Sequence, residues 1–201
     1  MKLSALDRLI LLATGLLAAY QIVVGIDDLG SMPVMAYTIG FGVLLLAGLL
    51  LLILGFEALD SPIVAVVSTL IPLSLSLGLV WENVVAWRPG FLVFSILGLL
   101  AIALTRALPA AARFRILTLA SVHGIAGLTI FLLPMALALQ GLVKPAFTLV
   151  GVGGGLMGLG GLLLSFLKAG RPIVSRATIL RILPGLLLLM TMAFVIGFRN
   201  G

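Results

Sequence analysis

The side chains able to do acid–base or ligand chemistry are few. The chain carries one histidine, His123, six carboxylates and no cysteine in 201 residues. Without cysteine there are no disulfides, thiolate metal sites, thiol nucleophiles or Cys-linked haem. A single histidine cannot supply both axial ligands of a bis-His haem. His123 stands inside a long apolar run, near Ser121 and Gly127. An ionisable residue at such a depth is a functional candidate. It could hold a proton, bind the magnesium of a pigment, or bond a quinone carbonyl. A neutral histidine giving one hydrogen bond to a neighbouring helix fits the same observation. No carboxylate shares its depth, so a proton relay through it would lack a second member.

Two polar stripes and one glycine cluster are the other candidates. Thr14, Ala18, Gln21, Gly25 and Asp28 recur at helical spacing on one face, as do Thr69, Pro72, Ser76 and Asn83. Together these faces could line a narrow polar path. Hydrogen bonding between helices, with a proline kink satisfied by nearby hydroxyls, is the reading they favour. Glu82 and Arg88 could pair in a small vestibule, or simply anchor the chain at the membrane interface. The segment Gly151–Gly161 holds seven glycines, with Gly151/Gly155 and Gly154/Gly158 at small-x-x-x-small spacing. Lipid tails are as apolar as the helices themselves, so close backbone approach is what makes helix contact favourable there. These glycines imply either tight packing within a bundle or a groove for a partner helix, lipid tail, carotenoid or quinone. They do not form a nucleotide loop, because they lie inside an apolar run with no flanking strand. No carboxylate pair, metal-ligand cluster or Ser/His/Asp set has workable spacing.

The elements that must position these residues follow from composition. Apolar residues make up 63% of the chain and charged residues 9%, against about 25% charged in a soluble domain. A water-soluble fold of this size has too little interior to hide so much apolar surface. The expectation is an all-α integral membrane protein without a soluble domain. A membrane-spanning helix needs about 20 apolar residues. Seven stretches qualify: Leu9–Ile26, Val34–Phe56, Pro62–Trp87, Gly90–Thr105, Ile116–Leu139, Pro145–Leu167 and Ala177–Phe198. The fourth is the shortest. Uninterrupted Leu-rich runs fit helices rather than alternating barrel strands. Lys2 and Arg8 before the first run resemble the start of a signal peptide. That run is long enough to span, though, and Asp27-Asp28 follows it with no small-x-small cleavage site.

An internal repeat organises the single membrane domain, 1–201. A shift of 110 lays Tyr37–Val64 on Phe147–Val174 without a gap, and ten of 28 positions are identical, Phe56/Phe166 and Pro62-Ile63-Val64/Pro172-Ile173-Val174 among them. Arg8–Thr14 resembles Arg115–Ser121, and Trp87-Arg88-x-Gly90 resembles Phe198-Arg199-x-Gly201. The reading is a 3+1+3 parallel repeat, with units at about 8–90 and 115–201 and a connector helix at about 91–106. With seven spans and a cytoplasmic N-terminus, Lys2, Arg8, Arg106, Arg113, Arg115, Lys168, Arg171, Arg176 and Arg181 lie inside. Arg88, Lys144 and Arg199 lie outside, a split of nine against three. That bias predicts N-in, C-out in a plasma-type, prokaryotic-like membrane. Asp7, Glu57 and Asp60 join the inner set and Asp27, Asp28 and Glu82 the outer one. The net charge of +6 belongs to these interfaces and to anionic headgroups, not to a nucleic-acid surface.

Two functional readings follow, neither with a redox or hydrolytic centre of its own. One is a non-catalytic subunit or helix-packing partner in a larger membrane complex, respiratory or photosynthetic in kind, or a homo-oligomer, in contact with lipid, quinone or pigment. The alternative is a small facilitative transporter of a neutral or apolar solute. A membrane enzyme stands third, with His123 or Glu82 as its only acid–base groups. In helix count and repeat order the layout resembles that of the sugar-efflux and PQ-loop transporters, whose three-helix units are joined by one helix. The chain has no Pro-Gln dipeptide and the opposite charge bias, so no residue roles carry over.

Overall fold

Polar punctuation sets where each apolar run becomes a helix. In the computed structural model, which describes residues 3–26, 29–168 and 172–201, α1 spans Ala5–Val24. Ser4 and Asp7 close a capping box over its first turn, satisfying amides that have no partner within the helix. Then follow α2 (Ser31–Leu54), α3 (Pro62–Asn83), α4 (Arg88–Ala107), α5 (Ala112–Leu139), α6 (Thr148–Lys168) and α7 (Arg176–Asn200). Short 3-10 turns precede α3, α4 and α6. Gly55, with φ +68°, ends α2 in a backbone conformation that favours glycine. Proline occupies the first turns of α3 and α4, where its missing N–H leaves no bond unmade. There is no strand among the described residues.

Seven helices are long and apolar enough to cross a membrane. The fourth, expected to be short, has 20 residues, about 30 Å of rise. That matches a bilayer core of about 30 Å. α5 begins at Ala112, four residues before its apolar run, because a turn carrying the exposed Arg113 and the half-buried Arg115 extends it. At the opposite end of α3, Asn83 closes the helix and Val85–Trp87 turn separately.

The helices pack in cyclic order. α1 lies on α2, α2 on α3, α3 on α5, α5 on α6, α6 on α7, and α7 returns to α1. α4 stands outside this ring, across α3 and α5. One core cluster fills the interior, with Tyr37, Phe41 and Leu44 of α2, Leu75 and Leu79 of α3, Ile130 of α5, Val150 of α6 and Phe194 of α7. A second cluster gathers Phe56, Ala58, Leu11, Leu180 and Leu183. Beneath α4, residues Ile71–Val80 of α3 are buried without a break.

The aligned positions do not all share an environment. Phe56 is buried at 5% exposure and Phe166 is 41% exposed. Pro62 opens α3, whereas Pro172-Ile173-Val174 precede α7, which starts at Arg176. Asp27, Asp28, Lys2 and Arg171 lie outside the described residues, and with them the last member of the first polar stripe.

Candidate functional site

The polar stripes point inward. Thr14, Gln21, Thr69 and Ser76 are buried at 4% exposure or less, and Asn83 is half-buried. Most of their bonds turn back onto the same helix. The Thr14 hydroxyl donates to the Ile10 carbonyl at 2.9 Å, Ser76 to Pro72 at 2.6 Å, and Asn83 Nδ2 to Leu79 at 2.9 Å. Gln21 Nε2 donates to the carbonyl of Gly25 at 2.9 Å. Ser95 and Thr191, outside both stripes, do the same at 2.8 and 2.7 Å. A hydroxyl bonded to the carbonyl four residues back has a satisfied proton without facing a cavity. A cavity of about 20 Å³ borders Gln21, Tyr37, Thr38 and Phe41. That is room for about one water molecule.

Where α2 begins and α3 ends, the structure brings together residues from distant parts of the chain. Tyr37 is buried, and its hydroxyl donates to a Glu82 carboxylate oxygen at 3.1 Å. Glu82 itself is exposed, so its carboxylate meets solvent or headgroups on one side and the Tyr37 hydroxyl on the other. The Tyr37 ring lies against Gly78, where an added Cβ would come within 2.5 Å of it. It also contacts Phe198, with ring centroids 4.6 Å apart. Phe198 in turn meets Phe41, Phe147 and Phe194. Arg88 does not pair with Glu82. Its Nε donates to the Trp81 carbonyl at 2.5 Å, and its guanidinium stacks over the Trp81 ring at 5.8 Å. Arg199 stacks likewise over Tyr20 at 5.5 Å. Both arginines sit where a cation and an aromatic face anchor a helix end.

The glycine cluster divides by face. A Cβ on Gly151 would meet the Phe131 carbonyl and Met135; on Gly154, Ile130 and the Phe131 amide; on Gly155, the Phe131 ring. These three therefore seat α6 on α5. Gly153 fits the Phe194 ring of α7 in the same way. Gly158 is exposed with open space over it. His123 is half-buried, on the turn of α5 that carries Val122 against Gly98 of α4. Its Nδ1 is buried without a hydrogen-bond partner. Among the described residues no group of His, Asp or Glu could hold a metal ion.

Sequence reasoning passed over Tyr37 as a site residue. The only signals were a tyrosine within an apolar run and an acidic residue at a helix end 45 positions away. Their meeting depends on the register between α2 and α3. No known protein family matches the chain, and no curated protein or solved structure is similar to it.

Proposed function

We propose that the chain is a non-catalytic, helix-packing subunit of a larger membrane assembly, respiratory or photosynthetic in kind. The observation that carries this reading is the inward-turned polarity. Thr14, Ser76, Asn83, Ser95 and Thr191 bond to carbonyls of their own helices, and aromatic side chains fill the space between α2 and α7. Polar residues bonded to their own helices have satisfied protons and leave little with which to bind a solute. Exposed leucines, isoleucines and phenylalanines cover the outer faces, as expected for surface that meets lipid or neighbouring subunits. Gly158 and Gly161 are the members of the glycine set open to a lipid tail, quinone, pigment or partner helix.

In this reading the chain spans a plasma-type membrane seven times, N-in and C-out. Arg8, Arg106, Arg113, Arg115, Arg176 and Arg181 then lie on the cytoplasmic side. The parallel 3+1+3 repeat is part of the proposal. Supporting it, α1 lies on α2 and α2 on α3 just as α5 lies on α6 and α6 on α7, while α7–α1 mirrors α3–α5. The same cyclic order favours the second reading, a facilitative transporter whose two three-helix units rock against each other.

One experiment separates the two. The chain is extracted from its own membrane in mild detergent, and solute flux is then measured in liposomes. The subunit reading expects other membrane subunits, or further copies, in fixed stoichiometry and no flux. A lone chain that conducts a small neutral solute, and stops when Gln21→Leu or Ser76→Val is made, overturns it.

A further inference from the structure

Asp7 and Arg181 line one groove and are not paired with each other. The groove encloses about 720 Å³ where α1, α6 and α7 meet. Asp7 is in the first turn of α1 and Arg181 in the second turn of α7, so both lie near the same end of the bundle. Beyond them the walls are apolar: Ile10 of α1, Leu156 of α6, and Gly185 and Leu189 of α7. Gly185 has open space over its Cα and so forms a depression along the outer face of α7. Leu189 lies eight residues past Arg181, about 12 Å deeper along the helix.

The position of the groove explains why it is vacant of protein. α4 covers the outer face of α3, whose middle is buried throughout. In the cyclic order α7 is the counterpart of α3, but among the described residues no helix lies over it. Arg181, Ile182 and Leu189 are exposed along that strip.

From this charge pattern we infer that the groove holds one zwitterionic aminophospholipid. Its phosphate lies at Arg181, its primary ammonium at Asp7, and one acyl chain runs along Gly185 to Leu189. Arginine offers a planar set of donors to a phosphate. The Asp7 Oδ2 atom accepts from the amide and hydroxyl of Ser4, at 2.9 and 2.7 Å, which holds the carboxylate in place and leaves Oδ1 for the ammonium. A wholly anionic headgroup would satisfy Arg181 but bring no cation to Asp7. A quaternary ammonium has no N–H to give. The inference rests on the membrane-spanning reading and is independent of the subunit proposal.

The test uses the purified full chain, stripped of lipid in detergent. It is titrated with phosphatidylethanolamine, phosphatidylcholine and phosphatidylglycerol of matched acyl chains, and bound lipid is counted by native mass spectrometry. One phosphatidylethanolamine is expected to be retained about threefold to fivefold more tightly than either of the others, the size of one partly exposed ion pair. Gly185→Leu, which builds into open space, removes retention. Arg181→Gln weakens binding of all three lipids. Asp7→Asn abolishes the preference for the primary ammonium, while Arg8→Gln, one residue along and outside the groove, changes nothing. Thermal unfolding of each variant shows whether it is folded. Retention indifferent to headgroup, retention that survives Gly185→Leu in a folded variant, or a second copy of the chain released by Gly185→Leu would each overturn the inference.

Discussion

The Tyr37 hydroxyl has its partner on another helix, unlike Thr14, Ser76 and Asn83, whose bonds stay within their own. Tyr37→Phe removes the bond to Glu82 and leaves the exposed carboxylate free to find water. The expected loss is about 1 kcal/mol, read as a lower unfolding midpoint in detergent. Gly78→Ala acts on the same side chain by crowding. A Cβ 2.5 Å from the Tyr37 ring must displace it, at about 1–3 kcal/mol. If Gly78→Ala unfolds at the same temperature as the parent chain, the packing described around Tyr37 is wrong. At this scale the stripes were legible because 3.6-residue periodicity alone places Thr14 and Gln21, or Thr69 and Ser76, on one face. The Tyr37–Glu82 pair was not, because periodicity carries no information about how two helices slide past each other. Of the two readings of Glu82 and Arg88, the paired vestibule gave way to a local solution: Arg88 reaches back to the carbonyl and ring of Trp81.

Among the elements, α6 shows most clearly what glycine does in the bundle. Gly154 faces the α5 backbone, and a Cβ there would lie 2.7 Å from the Ile130 side chain and 3.0 Å from main-chain atoms of Ile130 and Phe131. Main chain within a packed helix cannot turn aside as a side chain can. Gly154→Ala should therefore destabilise by about 1–3 kcal/mol, whereas Gly158→Ala, one turn on and open to the outside, should be neutral or stabilise by up to about 1 kcal/mol through helix propensity. Equal unfolding midpoints for the two variants would contradict the α5–α6 seam. The small-x-x-x-small spacing was visible in sequence. Which glycines face a neighbour was not, since they occur on more than one side of the helix. Helix existence was legible from apolar run length, while the ends ran past those runs at Arg113 and Arg88, where charged turns continue the helix beyond the apolar segment. The alignment of Phe56 with Phe166 also shows a limit of sequence matching: identical residues, one buried and one 41% exposed.

For the whole molecule, the cyclic packing of six helices with α4 outside gives the proposed repeat its physical content. An odd connector that crosses the membrane leaves both three-helix units pointing the same way, with the chain ends on opposite faces. Composition made seven helices long and apolar enough to cross a membrane legible at once, because 63% apolar residues cannot be buried in 201. It could not reveal which helix stays outside the ring, since α4 is as apolar as its neighbours. The absence of cysteine makes the decisive measurement simple. A single cysteine is placed at Ser4 or at Asn200, both exposed, and labelled with a membrane-impermeant thiol reagent in intact cells and again after lysis. The account predicts that the cysteine at 200 labels in intact cells and the one at 4 only after lysis. Labelling of both from the same side would contradict seven crossings and, with them, the parallel arrangement of the two units.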